Sequence, residues 1–293
     1  MDLTPLTRPS DVSRDISNAG PHWRLVDRML AVYGIVVVLL ALTRLHQQGV
    51  PGVLVAHLAI PALAWLVAHA PPTPLARVLR GIYPVALLIG LYSAIDVLNR
   101  FGAAPTWDHQ IQALEFAMFG MQPSRDWWRM HPSAFWSATF HSAYLSYYLL
   151  IVTPMIVFLV QRRNDALERY LNGLLATYLV CYLFYLFMPV AGPYYQFERP
   201  SGAFVANLPA RMVYAALSGG SAFGAAFPSS HVAATVAATI GAWRGSRRLG
   251  LVMVIPTGLL AVGVVYCQMH YVIDSAAGVI LGMVVAGVMT RRS

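Results

Sequence analysis

Long apolar runs separated by short polar or arginine-bearing breaks fill most of the chain. A helix needs about 20 mainly apolar residues to cross a bilayer core. Eight stretches approach that length, near residues 29–45, 51–69, 82–98, 135–160, 170–189, 229–244, 249–268 and 271–290. The pattern predicts an all-α integral membrane protein with about eight transmembrane helices, six to eight in all. The sixth stretch is short. It reaches spanning length only if it begins inside the membrane, with the turn at Pro228 in a protein-lined cavity where non-helical backbone is tolerated. The first run is followed at once by further spans and by no A-x-A-like cleavage site, so it reads as a retained helix and not a removed leader.

The polar remainder divides the chain. Residues 1–28, with four Arg, four Asp, Pro5 and Pro9, read as a cytoplasmic tail; 29–104 hold the N-terminal spans; 105–293 form a membrane unit with the candidate chemistry. Between Pro105 and Pro132, Trp107, Trp127 and Trp128 alternate with charges and with Ile111, Leu114, Phe116, Met118 and Phe119, which predicts a helix lying in the membrane interface. The stretch Ala191 to Ala226, rich in Gly, Pro and Ser, reads as a lid or substrate entrance.

Composition sharpens this picture: 58% of the 293 residues are hydrophobic and 11% charged, well under the quarter or so usual in soluble domains. All twenty basic residues are Arg. With the N-terminus inside, fourteen fall on the inner side and six on the outer, the bias that a positive-inside topology with an even number of spans requires. This places both termini in the cytoplasm of a multi-pass cell-membrane protein, with His231 and His270 together at the outer face. Orientation thus accounts for the net charge of +8, and no arginine cluster carries the interleaved aromatics or the fold signature of nucleic-acid binding. Cys181 and Cys267 sit in apolar runs without metal-type spacing and read as buried small hydrophobes.

The chemistry concentrates between Phe227 and Asp274. Phe227-Pro228-Ser229-Ser230-His231 opens one apolar run, and His270-Tyr271-Val272-Ile273-Asp274 opens another. His270 and Asp274 are four apart, which on a helix puts them on one face, where the carboxylate would hold one ring nitrogen and leave the other free. His231, behind Ser229 and Ser230 at a helix start, would sit where unpaired N–H groups favour a phosphate, and would protonate a leaving oxygen. The residues alone leave other readings open: a metal site of two His and a carboxylate, or interfacial histidines in a lipid-binding or transport protein.

These motifs resemble those of the type 2 phosphatidic acid phosphatase superfamily, which carries a Pro-Ser-x-His motif and a later His-x-x-x-Asp motif. The resemblance covers about residues 105–290. It implies a six-helix core bundle and metal-independent phosphoryl transfer without a cofactor, with His270 as the nucleophile that becomes phosphohistidine, Asp274 as its partner and His231 as general acid. The substrate it implies is a phospholipid or lipid phosphate, with an alcohol as possible acceptor. Pro189-Val190-Ala191-Gly192-Pro193-Tyr194-Tyr195, the approach Phe223 to Ser229, Asp108 with Phe119 to Pro123, and His141 are similar to the inositol phosphorylceramide synthase-like branch. Against the lipid phosphatase pattern, Arg199-Pro200 is present, but Gly192 stands in place of a Lys, Ser230 of a Gly, and Gly263-Val264 of Ser-Arg. Arg199, Tyr194, Tyr195, Ser229, Ser230 and His141 are therefore the candidate substrate-binding residues. Tyr144, Tyr147 and Tyr148 read as packing aromatics, and Asp96 and Asp108 as solvated interfacial carboxylates.

Overall fold

The computed structural model describes residues 23–71, 73–99 and 105–290. The first 22 residues of the predicted tail, and Arg100, Arg291 and Arg292, lie outside them. The helices of eight residues or more are α1 Leu25–Leu42, α2 Val50–Ala68, α3 Pro74–Leu98, α4 Asp108–Phe119, α5 Pro123–Met130, α6 Ala134–Val160, α7 Asn164–Phe187, α8 Leu208–Gly220, α9 Ser230–Gly245, α10 Arg247–Tyr266 and α11 Val272–Met289. Among the described residues there is no strand, only an isolated bridge between Val190 and Ala225.

Seven helices, α1, α2, α3, α6, α7, α10 and α11, are long and apolar enough to cross a membrane. The sixth predicted span is α9, whose 16 residues extend roughly 24 Å at about 1.5 Å per residue, short of a core about 30 Å thick. The outward sides of the long helices are apolar, as at Val32, Ile35 and Leu39 of α1 or Leu251, Val252 and Ile255 of α10, which suits a lipid solvent.

Several boundaries differ from the hydrophobic pattern for local reasons. α3 starts at Pro74, not near 82, because Thr73 accepts the Ala76 amide and Pro74 takes the first helical position, which carries Arg77 and Arg80 into the helix. Arg80 then bonds the Val67 carbonyl across the turn. The predicted single interfacial helix is two, because Gly120 adopts a left-handed conformation (φ 68°) that ends α4, and Pro123 opens α5.

The short helix α9 is the hub, packed against α6, α7, α10 and α11. Its Ala233, Ala234, Ala237, Ala238 and Ala242 are buried, and small side chains let its neighbours approach closely. On α11 a Cβ at Gly278 would lie 2.7 Å from the Ser229 carbonyl oxygen, so only glycine allows that contact. α3 packs on α7 and joins α6, α7, α10, α11 and the short α9 of the C-terminal unit as a sixth helix. α1 and α2 lie outside this bundle, tied to it by the bond from Tyr83 to Asp27 and the edge contact of Tyr33 with Tyr182.

Candidate functional site

Ser229 caps α9, its hydroxyl accepting the Val232 amide at 3.4 Å, and its own N–H donates to the Asp274 carbonyl at 3.0 Å. That bond joins the two motifs. The helix starts of α9 and α11 thus meet at one end of the bundle, and the imidazoles of His231 and His270 lie 6.2 Å apart between ring centroids. Both line a cavity of about 480 Å³.

His270 lies in the turn before α11, not on the helix, which the four-residue spacing did not anticipate. Its Nδ1–H donates to the Ala226 carbonyl at 3.0 Å, while the Asp274 carboxylate stands at 3.5 Å. A carbonyl only accepts, so the proton is on Nδ1 and Nε2 keeps its lone pair. Burial pushes the imidazole down to about 4, against the opposing bond to Ala226, so at neutral pH the ring that faces Asp274 is neutral. Asp274 is fully buried and holds the helix start, its Oδ2 accepting the Tyr271 amide at 2.8 Å.

His231 is held between aromatic rings. Tyr144 stacks on it at 4.8 Å, its hydroxyl 3.1 Å from Nε2, and Tyr147 covers it at 4.5 Å. Tyr144 and Tyr147, read from the sequence as packing aromatics, thus both contact His231. Their signal in the sequence is only a spacing of three in α6, indistinguishable from a buried helix face.

Of the other candidates, Ser230 lines the cavity, with its amide donated to the Tyr185 hydroxyl at 3.0 Å, whereas the Ser229 hydroxyl is spent on the cap. Tyr194 and Tyr195 line this cavity and a neighbouring one of about 500 Å³ that also holds Asp96 and Arg199. The Arg199 guanidinium lies 4.4 Å from the centroid of the Tyr194 ring. His141 is not among the cavity-lining residues; it is buried against Phe204 and Tyr214, with Nδ1 on the Ser137 carbonyl at 2.7 Å.

Asp108 and Asp96 are not simply solvated. Asp108 is 2% exposed. It accepts from Ala191 N at 2.7 Å, Gly192 N at 2.8 Å and the Tyr271 hydroxyl at 3.0 Å, fastening α4 and the Pro189–Gly192 segment beside His270. Asp96 accepts the Phe223 amide at 3.1 Å. Glu115, one helical face along from Asp108, accepts the Ile273 amide at 3.2 Å and leaves its second oxygen buried without a partner, as Asp274 does. Burial raises the Glu115 carboxyl to about 7. Among the described residues no group of three or more His, Cys, Asp or Glu has the arrangement to hold a metal ion; His270 Nδ1, the nitrogen nearest Asp274, is already bonded to Ala226.

A model of the PAP2 superfamily matches residues 109–288, more than half of the chain, and both histidine motifs fall within it. The chain belongs to the PAP2 superfamily. No curated protein and no solved structure matches it. Membership points to phosphatase- or phosphotransferase-type chemistry in a membrane. Two of the positions where this PAP2 chain departs from the lipid phosphatase pattern, Gly192 and Gly263, have local causes. Gly192 has φ 89°, and a Cβ there would lie 2.8 Å from that of Ala226, so no lysine fits. A Cβ at Gly263 would meet the Phe140 side chain at 2.8 Å.

Proposed function

We propose that this protein is a membrane-embedded phosphoryl-transfer enzyme acting on a lipid phosphate ester through a phosphohistidine. The observation that carries the reading is the free Nε2 of His270, kept unprotonated by the Ala226 bond and facing a cavity shared with His231. In the first half-reaction Nε2 attacks phosphorus, a P–N bond forms and the P–O bond to the lipid alcohol breaks. His231, as imidazolium against the phosphate's charge, gives its proton to the departing oxygen; Tyr144 takes up the Nε2 side by turning its hydroxyl from donor to acceptor. Asp274, 3.5 Å from His270, offsets the positive charge that the phosphorylated ring acquires. In the second half-reaction water or an acceptor alcohol attacks phosphorus, the P–N bond breaks and the proton returns to His231.

The loop glycine in place of a cationic side chain at residue 192, and the Pro189 to Tyr195 stretch, support headgroup transfer of the inositol phosphorylceramide synthase-like kind over simple hydrolysis. Arg199 and the Tyr194 and Tyr195 rings would contact the polar part of the substrate. The arginine bias supports an outward-facing site with both chain ends in the cytoplasm.

The test uses purified protein with radiolabelled phospholipids and prenyl phosphates, in chelator, with and without alcohols such as inositol lipids, diacylglycerol and ceramide. We expect turnover that persists in chelator, is inhibited by vanadate and falls at least about 10³-fold in His270→Ala. A new labelled lipid that depends on added alcohol identifies transfer, and free phosphate identifies hydrolysis. Turnover that survives His270→Ala, or is lost to chelator, overturns the phosphohistidine reading.

A further inference from the structure

The cavity does not end at the histidines. It continues into the bundle between α3, α6 and α7, and its far wall is Val85, Leu88 and Ile89 of α3 with Ile151 and Val152 of α6. α3 approaches the histidine end with its C-terminus, and Val85 lies seven residues before Tyr92; α6 leaves that end, and Val152 lies eight beyond Tyr144. At about 1.5 Å per residue, both walls descend about 10 Å or slightly more below the histidine level. Depth alone would not fix the occupant; the state of the tyrosines does.

Of the phenols along this shaft, four have hydroxyls already bonded within the protein, and Tyr148 stands at its open side. Tyr182 donates to the Leu88 carbonyl at 3.3 Å, Tyr147 and Tyr178 bond each other, and Tyr92 accepts the Ala222 amide at 3.2 Å. What they offer an occupant is mainly ring surface, with only the O–H of Tyr92 and of one member of the Tyr147–Tyr178 pair unspent. A polyol or a charged headgroup would be desolvated there with too few partners to replace its hydration, whereas an alkyl or isoprenyl chain loses nothing and buries its surface. The polar groups of the region, Asp96 and Arg199, stand in the adjoining cavity. The shaft also has an open side, since Ile89 is 75% and Tyr148 58% exposed while both line it. That opening lies between α3 and α6, at a depth where the surroundings are hydrocarbon.

We propose, resting on the phosphoryl-transfer reading above, that this shaft seats one apolar chain of the lipid phosphate ester, and that Val85, Leu88 and Ile89 set which chains fit. The phosphate then stands at His231 and His270, the chain runs down along α3, and whatever exceeds the shaft leaves through the open side. α3 precedes the residues matched by the superfamily model, so selectivity for the chain would come from a helix outside the segment that carries the chemistry.

The experiment compares hexadecyl phosphate with butyl phosphate on wild type, Val85→Trp, Val152→Trp and, as a lipid-facing control, Val284→Trp, all in nanodiscs. Filling the shaft is expected to lower kcat/KM for hexadecyl phosphate at least tenfold while butyl phosphate stays within about twofold, and Val284→Trp should behave as wild type. Equal effects on both esters, no effect on either, or the same loss in the control overturn the chain site. A hexadecyl phosphate with a terminal diazirine provides a readout independent of activity. Crosslinks on α3 and α6 that vanish in Val85→Trp are expected, and crosslinks confined to the outer lipid-facing helix sides overturn the proposal. If a tryptophan variant does not fold, Val85→Phe and Val152→Phe take its place. A wild type that turns over neither ester sinks the phosphoryl-transfer reading, and the crosslinks still decide the shaft.

Discussion

Tyr144 is the residue whose role changes most between the chain as text and the chain as folded. Its hydroxyl meets His231 Nε2 at 3.1 Å and its ring stacks on the imidazole, so it orients the proposed acid and accommodates both of its protonation states. Tyr144→Phe keeps the stack and removes the bond. kcat is expected to fall about tenfold or more with KM nearly unchanged, and the limb of the pH–rate profile that reports the acid should move. An unchanged profile would reduce Tyr144 to packing. His231, His270 and Asp274 were legible because ionisable groups at membrane depth are costly and stand out singly. Tyr144 was not legible, since nothing in a run of apolar and aromatic residues says which ring meets a histidine 87 positions away. Nor was the Ala226 carbonyl, a backbone group with no letter of its own, which receives the proton of His270 more closely than Asp274 does.

At the level of the element, α4 is turned inside out relative to an ordinary amphipathic helix. Asp108, Ile111 and Glu115 face the protein, and Leu114, Phe116, Met118 and Phe119 are exposed. The tryptophans predict an interfacial setting, but nothing in the sequence gives the direction of the polar face, because a carboxylate stripe on such a helix ordinarily points to water. Here it meets backbone amides at the start of α11 and in the Pro189–Gly192 segment. The consequence for Glu115 can be measured. Its carboxyl rises from 4.5 to about 7 on folding, mainly by burial with Asp274 adding to it, against bonds from Ile273 and Val272. Between those values the folded state binds more protons than the unfolded one, so this contribution favours folding most below about 4.5 and is lost as pH rises to about 7. Thermal unfolding in nanodiscs should show stability declining across that window, with Glu115→Gln flattening the decline. An identical slope in wild type and variant would remove Glu115 as its source.

For the molecule as a whole, the apolar runs sufficed to place the seven membrane-length helices and the short α9, and helix capping explains where their ends moved. Thr73 and Pro74 are the clearest case. The arginine asymmetry makes a separate statement about direction. Single cysteines at Ser201, on the histidine side, and at Gln161, between α6 and α7, are expected to react with an impermeant maleimide in intact cells and only after permeabilisation, respectively; Cys181 and Cys267 are buried. The reverse pattern would invert the topology.

The bond from Ser229 to the Asp274 carbonyl, with Gly278 closed against the same serine, has a mechanical meaning. The His231 imidazole is on the first turn of α9 and that of His270 in the turn that leads into α11, and because the two helix starts are stitched together, separating them means prying α9 from α11. The reacting groups therefore form a fixed anvil. On the proposed reading, any widening that admits a bulky lipid falls to the opposite wall, between α3 and α6, where Ile89 and Tyr148 already stand exposed.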